Sequence, residues 1–517
     1  MKRRFPALTL VALLAFMGQW AHGAAYAAPA AEPVIAQKHM IVAAEPAASE
    51  AGLAMLRAGG SAVDAAIAAQ LVLTLVEPQA SGIGGGAYLI VADGSVLHAY
   101  DGREMAPASA RPGMFLGPDG KPRRFREVVP GGLSVGVPGT IAMLAMAHKA
   151  HGRLPWAKLF EPAIALAENG FIVPPRLARE LRDGGTAFSS MPAIRALFFG
   201  AGGVALKEGE AWRNPKLAQS LRLIAQGGAD AFYKGAIAEE ISAAVSRAPV
   251  NATPMTLADL AAYAPKERDP LCGFYRAYKV CSLPPSTSGG TTVLQVLGAL
   301  ERFAPEQLQA GTLSSVHLIS EAERLAYADR AQWLGDSDAI AVPLPGLIDR
   351  AYLAGRGVLI DPNRSMGTAA AGMPPMRKAA LLDYAPMPAQ IQLGTSHLAA
   401  VDDRGEIVSL TMSVEGPFGS RIEAGGFLLN NQLTDFSFVP QIGGKPVANA
   451  PAPGKRPLSA MSPAIVFAPD GNFFAAVGSP GGRQIIAYVA QAIVNLIDGQ
   501  MSMQEAANAP RHVNMNG

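Results

Sequence analysis

Segments that favour helices and segments that favour strands occupy separate blocks of this sequence. Residues 155–265 are Ala-rich with helical Leu/Ala spacing, and another helix is predicted across 313–335. Strand-like runs dominate from residue 395 onward, whereas the Pro- and Gly-containing residues 360–394 predict an exposed loop. Because such blocks pack as layers, the pattern predicts a layered α+β fold.

A pair of helices followed by a glycine-rich loop is predicted near the N-terminus. The helices are separated by Gly59-Gly60, and Ser61 with Asp64 forms a capping box for the second. The stretch "SGIGGGAYLIVAD", Ser81 to Asp93, then gives a glycine loop before a strand. A dinucleotide-binding fingerprint needs a strand, a glycine loop and a helix in that order, so this order excludes it.

Charge and metal-ligand patterns exclude two classes of partner. The 43 basic and 41 acidic side chains give a net charge of +2, and no long run of like charges occurs. Nucleic acid is therefore not an expected partner. The eight His residues show no metal-ligand spacing and two Cys cannot build a Cys-rich zinc site, so no metal is expected.

The first 27 residues have the pattern of a signal peptide. Basic residues 2–4 precede an apolar stretch, Phe5–Gly18, that is too short to span a bilayer stably, and small residues follow it. We expect a periplasmic or secreted protein without a stable membrane span; an uncleaved membrane anchor is the alternative. Cys272 and Cys281 would face each other if the chain turns at Arg276-Ala277, as a disulfide or as two thiols.

A Gly-Thr pair stands at the head of a predicted β-hairpin in "QLGTSHLAAVDDRGEIVSLTMSVEG". The runs Leu398–Val401 and Ile407–Val414 favour strands, and residues 402–405 favour a turn. Thr395 therefore lies where a loop becomes a strand. By itself, this position gives a Thr no chemical role.

A second glycine turn, "GSPGG" at 478–482, precedes a predicted helix. Gly481 and Gly482 could direct backbone N–H groups at an anion, as a phosphate site or an oxyanion hole, or could form a simple tight turn. No Gly-Lys-Ser/Thr follows, which excludes a P-loop.

Ten motifs occur in one order along this sequence. They are "MIVAAEPAASEAGLAMLRAGGSAVDAAIAAQLVLTLVEPQASGIGGG", "DGREMAP", "HGRLPW", "LPPSTSGG", "ERLAYADRAQWLGD", "GTSHLAAVDDRG", "FLLNNQLTDFS", "KRPLSAMSP", "GSPGGRQII" and "NAPR". With these motifs, the sequence resembles the γ-glutamyltransferases (glutathione hydrolases) from about residue 35 to its end.

The resemblance implies an N-terminal nucleophile hydrolase, a four-layer αββα sandwich made as a precursor that cuts itself. The cut would fall between Gly394 and Thr395, giving a large subunit, 28–394, and a small subunit, 395–517. Thr395 would then supply both the nucleophilic hydroxyl and, as its base, the new α-amine. The resemblance also assigns Ser413 to support of the nucleophile, and Gly481 and Gly482 to the oxyanion hole.

Five residues match the family's substrate-binding positions. Arg103 and Ser459 correspond to contacts with the α-carboxylate of the γ-glutamyl group. Gln432 and Asp435 correspond to groups that hold its α-ammonium. Glu415 stands where many members carry Asn, and its carboxylate could also pair with the α-ammonium.

The sequence also departs from the family in three further places. Ala460 replaces a Ser that adds a hydroxyl contact to the substrate carboxylate. The segment between "TDFS" and "GKRPLS" is short and lacks a Tyr-bearing lid, which predicts a more open pocket. The sequence ends six residues after Arg511, where relatives continue with sheet strands, so we expect either a truncated form or a different closure of the fold.

The resemblance implies an enzyme that takes γ-glutamyl groups from glutathione and related compounds. The group would pass through a Thr395 ester to water or to amino acid and dipeptide acceptors, without a cofactor. Two alternatives remain open: a glutaryl or cephalosporin acylase of the same fold, and an unprocessed, inactive binding protein.

Overall fold

A six-stranded and a four-stranded antiparallel β-sheet lie at the centre of the fold. The computed structural model describes residues 32–375, 383–388 and 394–517. In the order of pairing, the larger sheet contains β1 (Met40–Val42), β9 (Ser396–Val401), β10 (Ile407–Ser413), β2 (Gly86–Asp93), β3 (Val96–Gly102) and β6 (Lys266–Arg268). The smaller sheet contains β16 (Phe473–Val477), β15 (Ala464–Phe467), β8 (Tyr278–Ser282) and β7 (Leu271–Tyr275).

Short strand pairs and helices make up the remaining regular structure. The pairs are β4 (Phe171–Ile172) with β5 (Ala211–Trp212), β11 (Glu423–Ala424) with β12 (Phe427–Leu428), and β13 (Gln441–Ile442) with β14 (Lys445–Pro446). The helices are α1 (Pro46–Arg57), α2 (Ala62–Val76), α3 (Phe125–Val128), α4 (Thr140–His151), α5 (Glu161–Asn169), α6 (Pro175–Ser189), α7 (Pro192–Phe198), α8 (Pro215–Gly227), α9 (Asp230–Tyr233), α10 (Ala236–Ser246), α11 (Leu257–Ala261), α12 (Gly289–Leu300), α13 (Leu313–Trp333), α14 (Leu344–Leu347), α15 (Arg350–Val358), α16 (Ile485–Ile497) and α17 (Met503–Asn508).

Strand β2 shows how the layers form, because successive side chains of a strand point to opposite faces. Leu89 and Val91 belong to a core shared with α1, α2 and α4. Tyr88 and Ile90 belong to a second core shared with the smaller sheet and with α12, α13 and α16. The order is therefore helices, sheet, sheet, helices, which confirms the α+β prediction and the αββα sandwich implied by the resemblance.

The predicted pair of N-terminal helices is confirmed. Gly59, at φ +85°, follows α1 in a conformation that favours glycine. The Ser61 hydroxyl accepts from the Asp64 N–H, and the Asp64 carboxylate accepts from the Ser61 N–H. Every residue of α2 is buried, so this capped helix anchors the layer behind the larger sheet.

The two cysteines form a disulfide. Cys272 on β7 lies directly opposite Cys281 on β8, and the strands are joined by a turn at Arg276-Ala277. Arg276 adopts φ +53° in this turn. Of the two predicted alternatives, a disulfide or two free thiols, the structure contains the disulfide.

The loop predicted at 360–394 is irregular but not wholly exposed. Its described parts contain isolated bridges and no helix or longer strand. Tyr384, Ala385 and Met387 are buried, and the last two pack with Trp333 and Leu334. The expectation of exposure is wrong there because apolar side chains anchor the segment. Residues 376–382 and 389–393 of the predicted loop lie outside the described ranges.

The predicted signal segment, 1–27, also lies outside the described ranges. Within those ranges, no helix combines the length and apolar character needed to cross a bilayer.

Candidate active site

The β9–β10 hairpin places Thr395 at the end of a central strand. Thr395 directly precedes β9, which pairs with β1 on one side and with β10 on the other. Strand β10 in turn pairs with β2, so the hairpin is embedded in the larger sheet. Thr395 is only 2% exposed. The predicted position at the head of a strand is confirmed.

The peptide bond between Gly394 and Thr395 is held among hydrogen-bonding groups. The Gly394 carbonyl oxygen accepts from Thr395 Oγ1 and from Ser413 Oγ, the latter at 2.7 Å. Ser413 Oγ also accepts from the Glu415 N–H at 2.8 Å, which orients the hydroxyl. A Cβ at Gly394 would lie 2.5 Å from the Glu415 carbonyl oxygen, so a larger residue does not fit without a shift. Thr395 therefore has its hydroxyl beside a carbonyl that a second hydroxyl polarises.

Most of the site residues predicted from the sequence line one small cavity beside this bond. The cavity lies where the end of β10, the turn after β12 and the start of α16 meet. Arg103 and Gly481 are not among its lining residues. The predicted residues that line it are Gly394, Thr395, Ser413, Glu415, Gln432, Asp435, Ser459 and Gly482, and Ala460 lies among them.

The glycine turn forms one wall of the cavity. Gly481 and Gly482 have φ of +130° and +56°, and both values favour glycine. A 3₁₀ turn, Gly482–Gln484, leads from this wall into α16. At the other end of the turn, a Cβ on Gly478 would lie 2.1 Å from the His397 ring, so the turn packs closely on β9.

The residues predicted to bind the two charges of the substrate contact each other. Asp435 Oδ2 accepts from Arg103 Nη2 and from Gln432 Nε2, the latter at 3.0 Å. Arg103 Nε donates to the Pro457 carbonyl at 2.9 Å. Arg103 is fully buried behind Asp435 and is not on the cavity wall. In the uncut chain, the guanidinium is thus held by the carboxylate that faces the cavity.

Glu104 is a buried acid that sequence reasoning missed. Its Oε2 lies 3.6 Å from Arg103 Nη1, and its side chain is fully buried. Burial raises the pKa of Glu104 to about 8, although the nearby Arg103 acts in the opposite direction. Its place in "DGREMAP", next to Arg103, was the signal that could have identified it.

Asn431 is a second residue that sequence reasoning missed. Its Nδ2 donates to Glu415 Oε2, and its Oδ1 accepts from the Gly416 N–H at 2.8 Å. Glu415 itself has φ +78°, a conformation that is uncommon outside glycine. Asn431 therefore orients the Glu415 carboxylate. Its place in "FLLNNQLTDFS" was the available signal.

Ser459 is fixed by the "LPPSTSGG" segment. Its N–H donates to the Ser286 carbonyl at 3.1 Å, and its carbonyl accepts from the Ser288 N–H at 2.9 Å. Its hydroxyl oxygen accepts from the Met461 N–H at 3.1 Å, which uses an acceptor site and leaves the hydroxyl proton to donate. The hydroxyl is suited to bind an anion in the cavity.

Comparison with known sequences agrees with this geometry. The sequence model of the gamma-glutamyltranspeptidase family matches residues 48–516.

The chain belongs to the γ-glutamyltranspeptidase family.

One relative within this family is the glutathione hydrolase proenzyme of Escherichia coli (strain K12). It is 38% identical over 489 residues, which cover 93% of this chain and 81% of that protein.

Two solved structures related to the γ-glutamyltranspeptidase fold resemble this chain. The cephalosporin acylase from Bacillus halodurans has a TM-score of 0.81 at 28% identity, covering 95% of this chain and 86% of that chain. The Helicobacter pylori gamma-glutamyltranspeptidase has a TM-score of 0.62 at 35% identity, covering 65% of this chain and 95% of that chain.

Proposed function

We propose that this chain is the precursor of a γ-glutamyl hydrolase and transferase that cuts itself between Gly394 and Thr395. The observation that carries the proposal is the pair of hydroxyls, from Thr395 and Ser413, on the Gly394 carbonyl oxygen. Thr395 Oγ1 attacks the carbonyl carbon, the C–N bond breaks, and the hydroxyl proton passes to the departing amine. Water then hydrolyses the ester, which leaves chains 28–394 and 395–517.

In the mature enzyme, Thr395 carries both reacting groups. An α-amine has an unperturbed pKa of about 7.7–8.0, so near neutral pH part of it can accept the hydroxyl proton. The oxygen attacks the γ-carbonyl carbon of glutathione or a related amide, and the amine passes the proton to the leaving nitrogen. Water or the amine of an amino acid or dipeptide then takes the γ-glutamyl group from the ester. The proposed reaction uses no cofactor.

The cavity offers matching groups to the other parts of the substrate. In the proposal, the N–H groups of Gly481 and Gly482 receive the oxyanion. The α-ammonium binds Asp435, with Gln432 and Glu415 nearby.

The α-carboxylate then binds Arg103 and the Ser459 hydroxyl. This assignment requires the carboxylate to displace Asp435 from Arg103, because the two side chains contact each other and Arg103 lies behind the cavity wall.

A glutaryl acylase is the second candidate. The likeness to a cephalosporin acylase favours it. A glutaryl group has the carboxylate without the α-ammonium, so it would leave Asp435 without a ligand cation.

The test compares γ-glutamyl-p-nitroanilide with glutaryl-p-nitroanilide on the purified protein, with and without glycylglycine. The Thr395→Ala variant serves as the control without a nucleophile. We expect faster release from the γ-glutamyl compound and a further increase with glycylglycine. Faster release from the glutaryl compound would select the acylase. A single uncut chain with no release would select the binding protein.

Export from the cytoplasm is part of the proposal. Basic residues 2–4 and the apolar stretch Phe5–Gly18 support a signal peptide, and the Cys272–Cys281 disulfide is typical of oxidising compartments. Cell fractionation with N-terminal sequencing of the large chain tests this. Recovery in the cytoplasm with Met1 retained would contradict it.

A further inference from the structure

One face of α13 holds two segments of the cavity wall. Tyr327 and Arg330 lie three residues apart on this helix and therefore share a face. They are 2% and 1% exposed. Neither is among the described residues that line the cavity, so both act through other residues.

Tyr327 fixes the residue that follows the glycine turn. Its hydroxyl donates to the Arg483 carbonyl oxygen. The Arg483 guanidinium carbon lies 5.7 Å from the centre of the Tyr327 ring. Arg483 directly follows Gly482, so these contacts set the position of the proposed oxyanion hole relative to α13.

Arg330 fixes the opposite end of the cavity. Its Nε donates to Ser288 Oγ at 2.8 Å, and Ser288 Oγ donates to the Ser459 carbonyl. Helix α13 therefore contacts both the segment that follows the glycine turn and, through Ser288, the segment that contains Ser459.

We propose that Tyr327 is a positioning residue for the oxyanion turn that acts in substrate turnover and not in self-cleavage. The inference rests on the proposed function. In self-cleavage the reacting carbonyl is that of Gly394, whose oxygen accepts from the hydroxyls of Thr395 and Ser413. A substrate carbonyl instead relies on the glycine turn. Contacts that form fully only in the transition state affect kcat and leave KM unchanged.

The test is Tyr327→Phe, which removes the hydroxyl and keeps the ring beside Arg483. The matched control is Tyr352→Phe, because the Tyr352 hydroxyl donates to Asp329 of the same helix at 2.7 Å, away from the cavity. For each variant, kcat and KM for γ-glutamyl-p-nitroanilide are measured, together with the half-time of precursor cleavage on a denaturing gel.

We expect Tyr327→Phe to lower kcat by about fivefold or more, the size expected for one lost hydrogen bond, with KM and the cleavage half-time unchanged. Tyr352→Phe should match the wild type in all three measurements. An unchanged kcat, or self-cleavage slowed in parallel with turnover, would overturn the inference. A wild type that cuts itself but releases no p-nitroaniline would overturn the proposed function, and the role of Tyr327 with it.

Discussion

Ser413 donates its hydroxyl proton to the carbonyl oxygen of Gly394 across 2.7 Å. The contact joins Ser413, the last residue of β10, to Gly394, two residues before β9, and β9 pairs with β10 along its whole length. Negative charge would develop on this oxygen when Thr395 attacks, so Ser413 is placed to stabilise it. The fold thus places a hydrogen-bond donor on the carbonyl group of the peptide bond that is proposed to break.

Removing the Ser413 hydroxyl should slow self-cleavage. We expect Ser413→Ala to lengthen the half-time of the precursor by about tenfold or more, because the developing charge loses a preorganised donor. Ser413→Thr keeps the hydroxyl and should stay close to wild type. A gel time course measures both. Cleavage of the Ala variant at the wild-type rate would remove Ser413 from the mechanism.

Asp435→Asn should separate the two substrate classes. The change removes a carboxylate that can pair with an α-ammonium, a contact worth about 1.5–3 kcal/mol, or about tenfold to a hundredfold in kcat/KM. It also weakens the contact with Arg103, but that cost applies to γ-glutamyl and glutaryl anilides alike. The ratio of the two losses therefore isolates the ammonium contact. Equal losses would show that Asp435 does not bind the ammonium.

Ala460→Ser should strengthen carboxylate binding. Ala460 lines the cavity next to Ser459, so a new hydroxyl there should lower KM for glutathione several-fold with little change in kcat. Ala460→Cys serves as the control, because it adds similar volume with a much weaker donor. An unchanged KM in the Ser variant would mean that this position does not contact the carboxylate.

Glu104 should make stability depend on pH. Its folded pKa is about 8, above the ordinary value of 4.5, so the folded state keeps a proton that the unfolded chain releases. The stabilisation is complete below about pH 4.5 and is lost as the pH rises through 8. Glu104→Gln does not titrate and should show less decline of Tm over this range. Melting curves recorded across this pH range, with and without Glu104→Gln in the uncut Thr395→Ala background, measure the difference in Tm. An equal decline of Tm in both proteins would contradict the burial argument.

Features that depend on local sequence patterns could be predicted for this molecule, whereas contacts between distant parts of the chain could not. The Ser61–Asp64 capping box and the β9–β10 hairpin depend on neighbours a few residues away, so spacing alone reveals them. The Arg103–Asp435 pair joins residues 332 positions apart, and no local pattern encodes it. The family motifs predicted that both residues belong to the site, but not that they contact each other or that Arg103 lies behind the cavity wall.

The central claim is that Thr395 becomes an N-terminal nucleophile, and mass spectrometry of the acid-quenched reaction tests it most directly. The purified protein is mixed with γ-glutamyl-p-nitroanilide, quenched within one turnover, and analysed as intact chains and peptides. We expect two chains, with the smaller one beginning at Thr395 and carrying one γ-glutamyl group on that residue. Thr395→Ala should remain a single unmodified chain. A γ-glutamyl group on another residue, or a cut at another bond, would contradict the account.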